Sequence, residues 1–478
     1  MTEHTLNPQN LNHIAARGIT VPTYSRTSLI PGVVHLGLGA FHRAHQAMVF
    51  DALLQRGDTR WGVLGVAMRT TTLADALAGQ AGLYAVQVAS SAGSAWQVPG
   101  ALLQTAVAAR QPQRVQDALA APATRWVTLT VTEKGYGPEL AALLVKGLAQ
   151  RQAAGLKGLT IASCDNLSDN GRKLQALCVN AATAQDPALA RWIENTCAFP
   201  NSMVDRIVPA ACAPRLQAAQ EALGVADAAA LGTEGFWEWV IEDRFVDAAD
   251  AQLLASAGVN VVKDVRQFEE AKLRMLNGCH SVMACMGAVV GLPVIADCIN
   301  QPAIAHMVYG LITHEISPHL TRQDWREYRE ALVKRWKNPD LKHSVHQIAT
   351  DSSQKIPQRW PPCIEGQIRL GQSYERFAFA AAAWMRYCQG IDERGQEYAM
   401  SDPMASELKT LALEHAGDVQ ATVKALGSLT AIWGNALPQH GQWLTRVTYW
   451  LGLIQSQGVL AALTLANDQT SKNSLLSG

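Results

Sequence analysis

The chain has 478 residues, 48% of them hydrophobic, and its 40 Lys and Arg residues balance 40 Asp and Glu residues. A chain of this length is too large for one hydrophobic core and is expected to fold as two domains. Zero net charge gives no global field for nucleic acid or anionic lipid, and no apolar run reaches the length of a membrane span. A small molecule is therefore the expected partner.

The cysteines and the first residues indicate the compartment. The nine cysteines are scattered and form no C-x-x-C pair, which disfavours a disulfide framework and a local zinc site. Residues 1–8 show no basic segment followed by an apolar run, so no secretory signal is predicted. We predict a protein of the reducing cytoplasm that needs no metal.

A strand–turn–helix pattern near the amino terminus is typical of dinucleotide binding. The apolar residues 33–36 run into Gly37 and Gly39, and helix-forming residues follow as far as Gln55. The first glycine allows a tight turn, the second lets a pyrophosphate approach the backbone, and the helix N-terminus favours its charge. His42 stands where the usual third glycine would be, so the match is partial. An ordinary strand-to-helix turn is the alternative.

The next apolar run, residues 61–68, is predicted as the second strand. NAD-specific sites usually present Asp or Glu at the end of this strand to hold the ribose hydroxyls. Here Arg69 and three threonines follow, and Arg69 could attract the extra phosphate of NADP. NAD is the predicted cofactor, and NADP is compatible with the same residues.

Two further predicted strands, residues 126–131 and 159–162, end in polar clusters. The first runs into Thr-Glu-Lys-Gly-Tyr at 132–136 and the second into Ser-Cys-Asp-Asn at 163–166. Ligands of open parallel sheets bind outside the carboxyl ends of the strands, where these clusters would lie. Capped turns would explain either cluster alone, but two in one strand–helix series favour a binding site.

The periodicity changes after about residue 265. Apolar residues then recur at helical spacing, for example over 377–387 and 444–454. We predict the α/β fold class, with an N-terminal Rossmann-type dinucleotide-binding domain over 1–265. A mostly α-helical domain over 266–478 would then carry substrate-binding and catalytic residues.

Residues 269–280 combine charged and hydrogen-bonding side chains at the entrance of this helical domain. On an α-helix, Glu269, His280 and Asn277 would lie at about 60°, 80° and 140° from Lys272. A lysine beside a carboxylate and two neutral polar groups could move a proton on and off a hydroxyl. A solvated amphipathic helix fits the same spacing.

The motifs of other enzyme classes are absent from the sequence. There is no Tyr-x-x-x-Lys pair, no G-x-S-x-G elbow and no Walker-type G-K-[ST] loop. A Cys/His/Glu zinc set is not evident either. A lysine-based oxidoreductase that needs no metal remains.

Several motifs in a fixed order resemble the polyol-specific long-chain dehydrogenase family, which contains mannitol 2-dehydrogenase and fructuronate reductase (D-mannonate oxidoreductase). They lie at residues 35–46, 130–136, 163–166, 203–209, 272–280 and 353–359. The motifs at 132–136 and 354–359 look more like the fructuronate reductase branch. The resemblance implies a Rossmann-type domain, a helical C-terminal domain, a substrate between them and no metal.

The resemblance also implies roles for five residues. Lys272 would take the hydroxyl proton when the alcohol is oxidised and return it in reduction. Asn277 and Asn166 would stabilise the developing alkoxide. His280 would bind and orient the substrate, and Glu269 would relay the proton to solvent.

Further positions are predicted to contact the cofactor or the substrate. The cofactor contacts are Gly37, Gly39, Ala40, Phe41, Arg69, Thr132 and Glu133. The substrate contacts are Asp205, Lys355 and Arg359. The last two are candidates for a substrate carboxylate, because a uronate needs a cation and a neutral polyol does not; surface charge is the alternative for both.

Three departures from the family pattern concern specificity. Thr72 stands where the mannitol branch has an acidic residue that specifies the cofactor. Gly235 replaces a proline between Glu234 and Phe236. The connection after Tyr136 is shorter by roughly thirty residues than the resemblance implies.

The first hypothesis is an NAD(P)-dependent oxidoreductase that interconverts D-fructuronate and D-mannonate. The second is the same chemistry on mannitol or arabinitol, and the third is a non-catalytic nucleotide-binding sensor. Each would act on a small molecule, as a monomer or small homo-oligomer, without nucleic acid or a membrane.

Overall fold

A computed structural model of the protein describes residues 5–90, 93–210, 212–339 and 342–476. The chain divides into two units, Met1–Arg266 and Gln267–Gly478, against a predicted division after residue 265. The first unit combines strands and helices, and the second is helical.

The described part of the first unit contains three sheets. Their strands are β1 (Pro31–Leu36), β2 (Gly62–Ala67), β3 (Val86–Ser90), β4 (Gly93–Gln97), β5 (Leu102–Val107), β6 (Trp126–Leu129), β7 (Thr160–Ser163), β8 (Ser202–Asp205), β9 (Leu231–Glu234), β10 (Glu238–Glu242) and β11 (Asn260–Val262). The main sheet has the order β5-β2-β1-β6-β7, and each neighbouring pair in it is parallel. The smaller sheets have the orders β11-β10-β8 and β4-β3-β9. The order of the main sheet is that of a dinucleotide-binding fold, with its switch point between β1 and β6.

Both faces of the main sheet are buried, as expected for parallel strands. On one face, Val33, Val63 and Trp126 belong to a cluster of buried side chains. On the other face, the neighbouring residues Val34 and Leu64 belong to a second cluster. Because successive side chains alternate between faces, short continuous apolar runs are the sequence signature of these strands.

The described part of the first unit also contains α-helices, several of which pack into these two clusters. They are α1 (Leu11–Ala16), α2 (Ala40–Ala44), α3 (Gln46–Gln55), α4 (Thr72–Gly79), α5 (Pro112–Ala120), α6 (Pro138–Ala153), α7 (Asn170–Thr183), α8 (Pro187–Thr196), α9 (Ala213–Leu223) and α10 (Ala249–Ser256). The single helix predicted up to Gln55 is wrong, because it is broken at His45, whose φ of −124° and ψ of −88° are not helical.

The second unit is built from helices, two of which contain π-type turns. They are α11 (Arg266–Ala271), a π-turn segment (Lys272–Gly278), α12 (Cys279–Val290), α13 (Ile295–Ile299), α14 (Pro302–Gly310), a second π-turn segment (Leu311–Ile316), α15 (Trp325–Trp336), α16 (Val345–Ala349), α17 (Ser352–Arg359), α18 (Pro361–Leu370), α19 (Glu375–Tyr387), α20 (Ala405–Glu414), α21 (Val419–Gly427), α22 (Thr430–Trp433), α23 (Gly441–Gln457) and α24 (Val459–Leu476).

Helices α12 and α19 form the centre of this unit. Residues from Cys279 to Val289 and from Arg376 to Met385 are buried all around the helix axis. Helices that are apolar on every side belong in a protein core. The stretch Arg266–Val290 also has the length and apolar composition of a membrane span, but 78% of its most apolar window is buried inside the protein. This burial fits a core helix.

Candidate active site

The switch point of the main sheet depends on Gly37. Its φ is +99°, a region that side chains rarely adopt, and a Cβ there would lie 2.2 Å from the carbonyl oxygen of Thr130. The Thr130 hydroxyl donates to the Gly37 carbonyl over 2.8 Å. Glycine is therefore required for the chain to turn at the end of β1 while it lies against the end of β6.

Gly39 has a different role. A Cβ at Gly39 would meet no protein atom closer than 3.6 Å, so the fold itself does not require glycine there. Gly39 instead lines a cavity of about 710 Å³ at the carboxyl ends of the strands. The missing side chain leaves space for a ligand to approach the backbone, which is the role of the second glycine in dinucleotide sites.

The cavity contains some of the predicted cofactor contacts and omits others. Gly37, Gly39, Arg69 and Thr132 line it, as do Leu38, Thr70, Lys134 and Glu139, which were not predicted. The predicted contacts Ala40, Phe41 and Glu133 are not among the residues that line the cavity. The lining residues are Gly37, Leu38, Gly39, Ala67, Met68, Arg69, Thr70, Thr130, Val131, Thr132, Lys134, Gly135, Gly137, Pro138, Glu139 and Leu140.

Phe41 and Glu133 lie outside the cavity lining for different reasons. The Phe41 ring stacks on His45 with ring centroids 5.0 Å apart and packs against the hydrophobic core. Glu133 begins a 3₁₀ turn, Glu133–Gly135, and is exposed. Both stay predicted cofactor contacts.

An exposed ion pair lies at the end of β2. Arg69 Nη2 donates to Glu139 Oε2 over 2.9 Å, and both residues line the cavity. Their side chains are 78% and 81% exposed, so water screens the attraction between the two charges and the ion pair contributes little to stability. Glu139 belongs to α6, so a carboxylate from another element lies beside the end of β2.

Asp165 joins the loops that follow β6 and β7. Its carboxylate accepts hydrogen bonds from the Thr132 N–H over 2.7 Å, the Val131 N–H over 3.2 Å and the Tyr136 hydroxyl over 3.0 Å. Burial raises the pKa of Asp165, and these three donors partly offset that rise. Thr132 has φ +67° and ψ 165°, a strained conformation that these bonds help to hold beside the cavity.

His42 fills the position of the missing third glycine. It is fully buried, and its ring stacks on His35 with centroids 3.4 Å apart. Burial lowers the pKa of His42 well below its usual value, and it lowers the pKa of His35 to about 3. Helix α2 therefore packs on β1 through two neutral imidazoles instead of through a glycine contact.

The other predicted residues of the first unit lie at strand ends. Asn166 follows β7, at the carboxyl edge of the main sheet, and is exposed. Asp205 is the buried last residue of β8, in a smaller sheet, where it pairs with Glu238 across the antiparallel ladder.

In the second unit, Lys272 and Asn277 lie on the first π-turn segment and not on a regular α-helix. The predicted angles are therefore wrong, because a π-type turn holds one extra residue. Once that extra residue is discounted, Asn277 and His280 count as four and seven residues after Lys272. Around the helix axis they then lie at about 40° and −20° from Lys272. With Glu269 at about 60°, the four residues fall within an arc of about 80°.

The side chains of Arg359, the last residue of α17, and of Trp360, which follows it, brace this π-turn. Arg359 Nη1 donates to the Asn277 carbonyl over 2.9 Å and to the Ser281 hydroxyl over 2.7 Å. The Trp360 indole donates to the Gly278 carbonyl over 3.1 Å. The last two residues of the π-turn segment are therefore tied to α17 and the residue after it by side-chain donors. Arg359 thus contacts the backbone of a predicted catalytic residue.

Lys355 lies one turn before Arg359 and is half-buried. Its Nζ donates to the Ile348 carbonyl over 3.2 Å. Burial lowers the pKa of Lys355, and the Arg359 guanidinium lowers it further. Burial also lowers the pKa of Arg359 to about 10. Two cations are therefore held close together on one helix.

Family models match both units of the chain. The "Mannitol dehydrogenase Rossmann domain" matches residues 31–253, and the "Mannitol dehydrogenase C-terminal domain" matches residues 264–454. The chain belongs to the mannitol dehydrogenase family. The predicted resemblance and the predicted fold class are confirmed, and the chain is an oxidoreductase of this family.

Members of the mannitol dehydrogenase family with different named substrates are similar to the chain. D-mannonate oxidoreductase of Escherichia coli K12 is 36% identical, covering 89% of this chain and 94% of the relative. Mannitol 2-dehydrogenase of Phaeosphaeria nodorum is 37% identical, covering 86% and 77%.

Solved structures give the same fold. The ternary complex of Pseudomonas fluorescens mannitol 2-dehydrogenase with NAD and D-mannitol has a TM-score of 0.82 at 30% identity, covering 96% of this chain and 99% of that one. A substrate-free D-sorbitol dehydrogenase has a TM-score of 0.88 at 30% identity, covering 96% and 100%.

Proposed function

We propose that this member of the mannitol dehydrogenase family is a cytoplasmic NAD(P)-dependent secondary-alcohol dehydrogenase that interconverts D-fructuronate and D-mannonate. The observation that supports the oxidoreductase chemistry is the π-turn over Lys272–Gly278, because its extra residue would bring Lys272, Asn277 and His280 toward one face. The same chemistry on mannitol or arabinitol is the second candidate, favoured by the mannitol 2-dehydrogenases among the relatives.

The choice of a sugar acid is supported by the cations on α17. Neither Lys355 nor Arg359 forms a salt bridge with a carboxylate in the described ranges, although both side chains are partly buried and burial lowers the pKa of each. A buried cation without a counter-ion is costly, and an anionic substrate would reduce that cost. A neutral polyol would supply only hydroxyl groups.

In this proposal, Lys272 takes the proton of the substrate hydroxyl during oxidation and returns it during reduction. The amides of Asn277 and Asn166 donate to the oxygen as negative charge develops on it, and these bonds strengthen in the transition state. His280 orients the substrate, and Glu269 passes the proton to solvent.

The residues at the switch point fit a dinucleotide. Gly39 leaves space that the fold does not need, and Gly37, Arg69 and Thr132 line the same cavity. These residues would hold NAD, the cofactor in the Pseudomonas fluorescens mannitol 2-dehydrogenase complex. When bound, the nicotinamide would carry the hydride.

Cofactor preference is expected to depend on Glu139. Its carboxylate would repel the 2′-phosphate of NADP, and it also engages Arg69, the cation that could bind that phosphate. Glu139→Gln removes both effects, so the dissociation constant for NADP should fall about tenfold relative to that for NAD. Titration of protein fluorescence with each cofactor measures this ratio.

The matched control is Glu194→Gln, an exposed glutamate of α8 that does not line the cavity. Its ratio should equal that of the wild type. An unchanged ratio in Glu139→Gln would place the 2′-phosphate away from this ion pair.

The substrate proposal is tested by following NADH and NADPH absorbance with fructuronate, tagaturonate, fructose and the matching alcohols. Turnover of fructuronate and mannonate is expected. Turnover of fructose or mannitol alone would favour the polyol candidate. No turnover with any compound, despite cofactor binding, would favour the sensor hypothesis, which the retained Lys272, Asn277 and His280 argue against.

A further inference from the structure

The carbonyl of Gly37, in the turn at the end of β1, is held by two side chains. The Thr130 hydroxyl donates to it over 2.8 Å. His35 Nε2 lies 3.2 Å from the same oxygen and 3.0 Å from the Thr130 hydroxyl. On the other side of the ring, His35 Nδ1 lies 2.8 Å from the Thr128 hydroxyl. His35 is fully buried, and neither it nor Thr128 was predicted from the sequence as a site residue.

These contacts determine the direction of each hydrogen bond. A carbonyl oxygen can only accept, so His35 Nε2 carries the proton that faces Gly37. The Thr130 hydroxyl has donated its single proton to Gly37, so it accepts from the same Nε2–H. Because burial lowers the pKa of His35 to about 3, the ring is neutral and Nδ1 has no proton. The Thr128 hydroxyl therefore donates to Nδ1.

The backbone of the turn is fixed by β2. The N–H groups of Gly37 and Leu38 both donate to the Val66 carbonyl, over 2.8 and 3.0 Å. Gly37 is thus held at its N–H by β2 and at its carbonyl by two side chains. The His35 ring also stacks on the ring of His42, in the helix after the turn, with centroids 3.4 Å apart. The turn is therefore held on both sides by the protein itself.

We infer that His35 and Thr130 are positioning residues for the dinucleotide, because through the Gly37 carbonyl they hold the turn that brings Gly39 to the cavity. Gly37, Gly39 and Thr130 all line that cavity. Glycine can adopt many backbone conformations besides the φ of +99° at Gly37, so without its two donors the turn would lose this one part of the time. A preformed turn avoids that entropy cost and raises affinity. The inference rests on the proposed function for its dinucleotide, and not for its substrate.

The test compares two substitutions of Thr130. Thr130→Val keeps the branched shape without the hydroxyl, and its backbone should stay in place because the N–H of residue 130 donates to the Leu36 carbonyl over 2.9 Å. The dissociation constant for NADH, measured by fluorescence titration, should rise about tenfold, since Gly37 loses a donor and His35 loses an acceptor. The kcat at saturating NADH should stay within about threefold of the wild type. Thr130→Ser keeps the hydroxyl, so its dissociation constant should also stay within about threefold.

The matched control is Thr105→Val. The Thr105 hydroxyl, in β5 of the same sheet, donates to the Ala74 carbonyl over 3.0 Å. Thr105 is partly buried, like Thr130, but is not among the residues that line the cavity. Thr105→Val should lower the melting temperature about as much as Thr130→Val and leave the dissociation constant for NADH unchanged. An equal rise of that constant in both variants would show a general loss of stability and overturn the inference.

A double variant separates positioning from direct contact with the cofactor. His35→Phe keeps a planar ring and loses both nitrogens. If His35 and Thr130 act through one carbonyl, His35→Phe/Thr130→Val should bind NADH within about threefold of either single variant. Losses that multiply would place the Thr130 hydroxyl directly on the cofactor and overturn the shared role.

Melting temperatures identify a His35→Phe variant that fails to fold, and the Thr130 variants then decide alone. A wild type that does not bind NADH would overturn the proposed function together with this inference. Equal dissociation constants for the wild type and Thr130→Val would overturn this inference alone.

Discussion

Lys272→Ala is expected to lower kcat by about a thousandfold or more, while the dissociation constant for NADH stays unchanged. A positioned general base contributes about a hundredfold to ten-thousandfold, and no neighbouring group in the proposal can replace the amine. Cofactor binding should be retained because the cavity lined by Gly39 and Arg69 belongs to the first unit. Stopped-flow absorbance gives kcat, and fluorescence titration gives the dissociation constant.

Two further measurements make the assignment of Lys272 specific. A small primary amine added to Lys272→Ala should restore part of the activity, with a dependence on pH that follows the free amine. Lys424→Ala removes an exposed lysine of α21 and should behave as the wild type. Turnover near the normal rate in Lys272→Ala would refute the assigned role.

The five-stranded sheet could be predicted to a large extent because its strands carry a local signal. A strand buried on both faces is a short apolar run. Strands β2 and β6 lie within the predicted runs, and β1 and β7 overlap the runs at 33–36 and 159–162. The predicted run at 126–131 is longer than β6, because Thr130 bonds to the turn at Gly37 and Thr132 adopts a strained φ. Strand β5 has no comparable local pattern and was not predicted.

The candidate site could be predicted less well because its geometry depends on distant residues. The α-helical angles of Lys272 and Asn277 follow from local spacing, but the π-turn is braced by Arg359 and Trp360, about eighty positions later. The sequence predicts Arg359 only as a cation near a substrate carboxylate. It does not show that its guanidinium donates to the Asn277 carbonyl and the Ser281 hydroxyl. Glu139 was missed for the same reason, since it meets Arg69 only through the fold.

The bracing role of Arg359 leads to the second large expected effect. Arg359→Ala should lower kcat about a hundredfold with acidic and neutral substrates alike, and change KM much less. Without its guanidinium the Asn277 carbonyl loses a charged donor, and the segment can relax toward regular α-helix. That change would rotate Asn277 by about 100° away from Lys272, because the extra residue is lost from the turn.

The same variant distinguishes bracing from direct binding of the substrate. If Arg359 bound the substrate carboxylate instead, its loss would raise the KM for fructuronate and leave a neutral substrate unaffected. Arg369→Ala, which removes an exposed arginine of α18, controls for a general loss of positive charge. Arg359→Lys should recover part of kcat, because an ammonium can still donate to the Asn277 carbonyl but lacks the planar fork that also reaches Ser281. A kcat loss confined to acidic substrates would therefore count against the π-turn as the element that aligns Lys272 with Asn277.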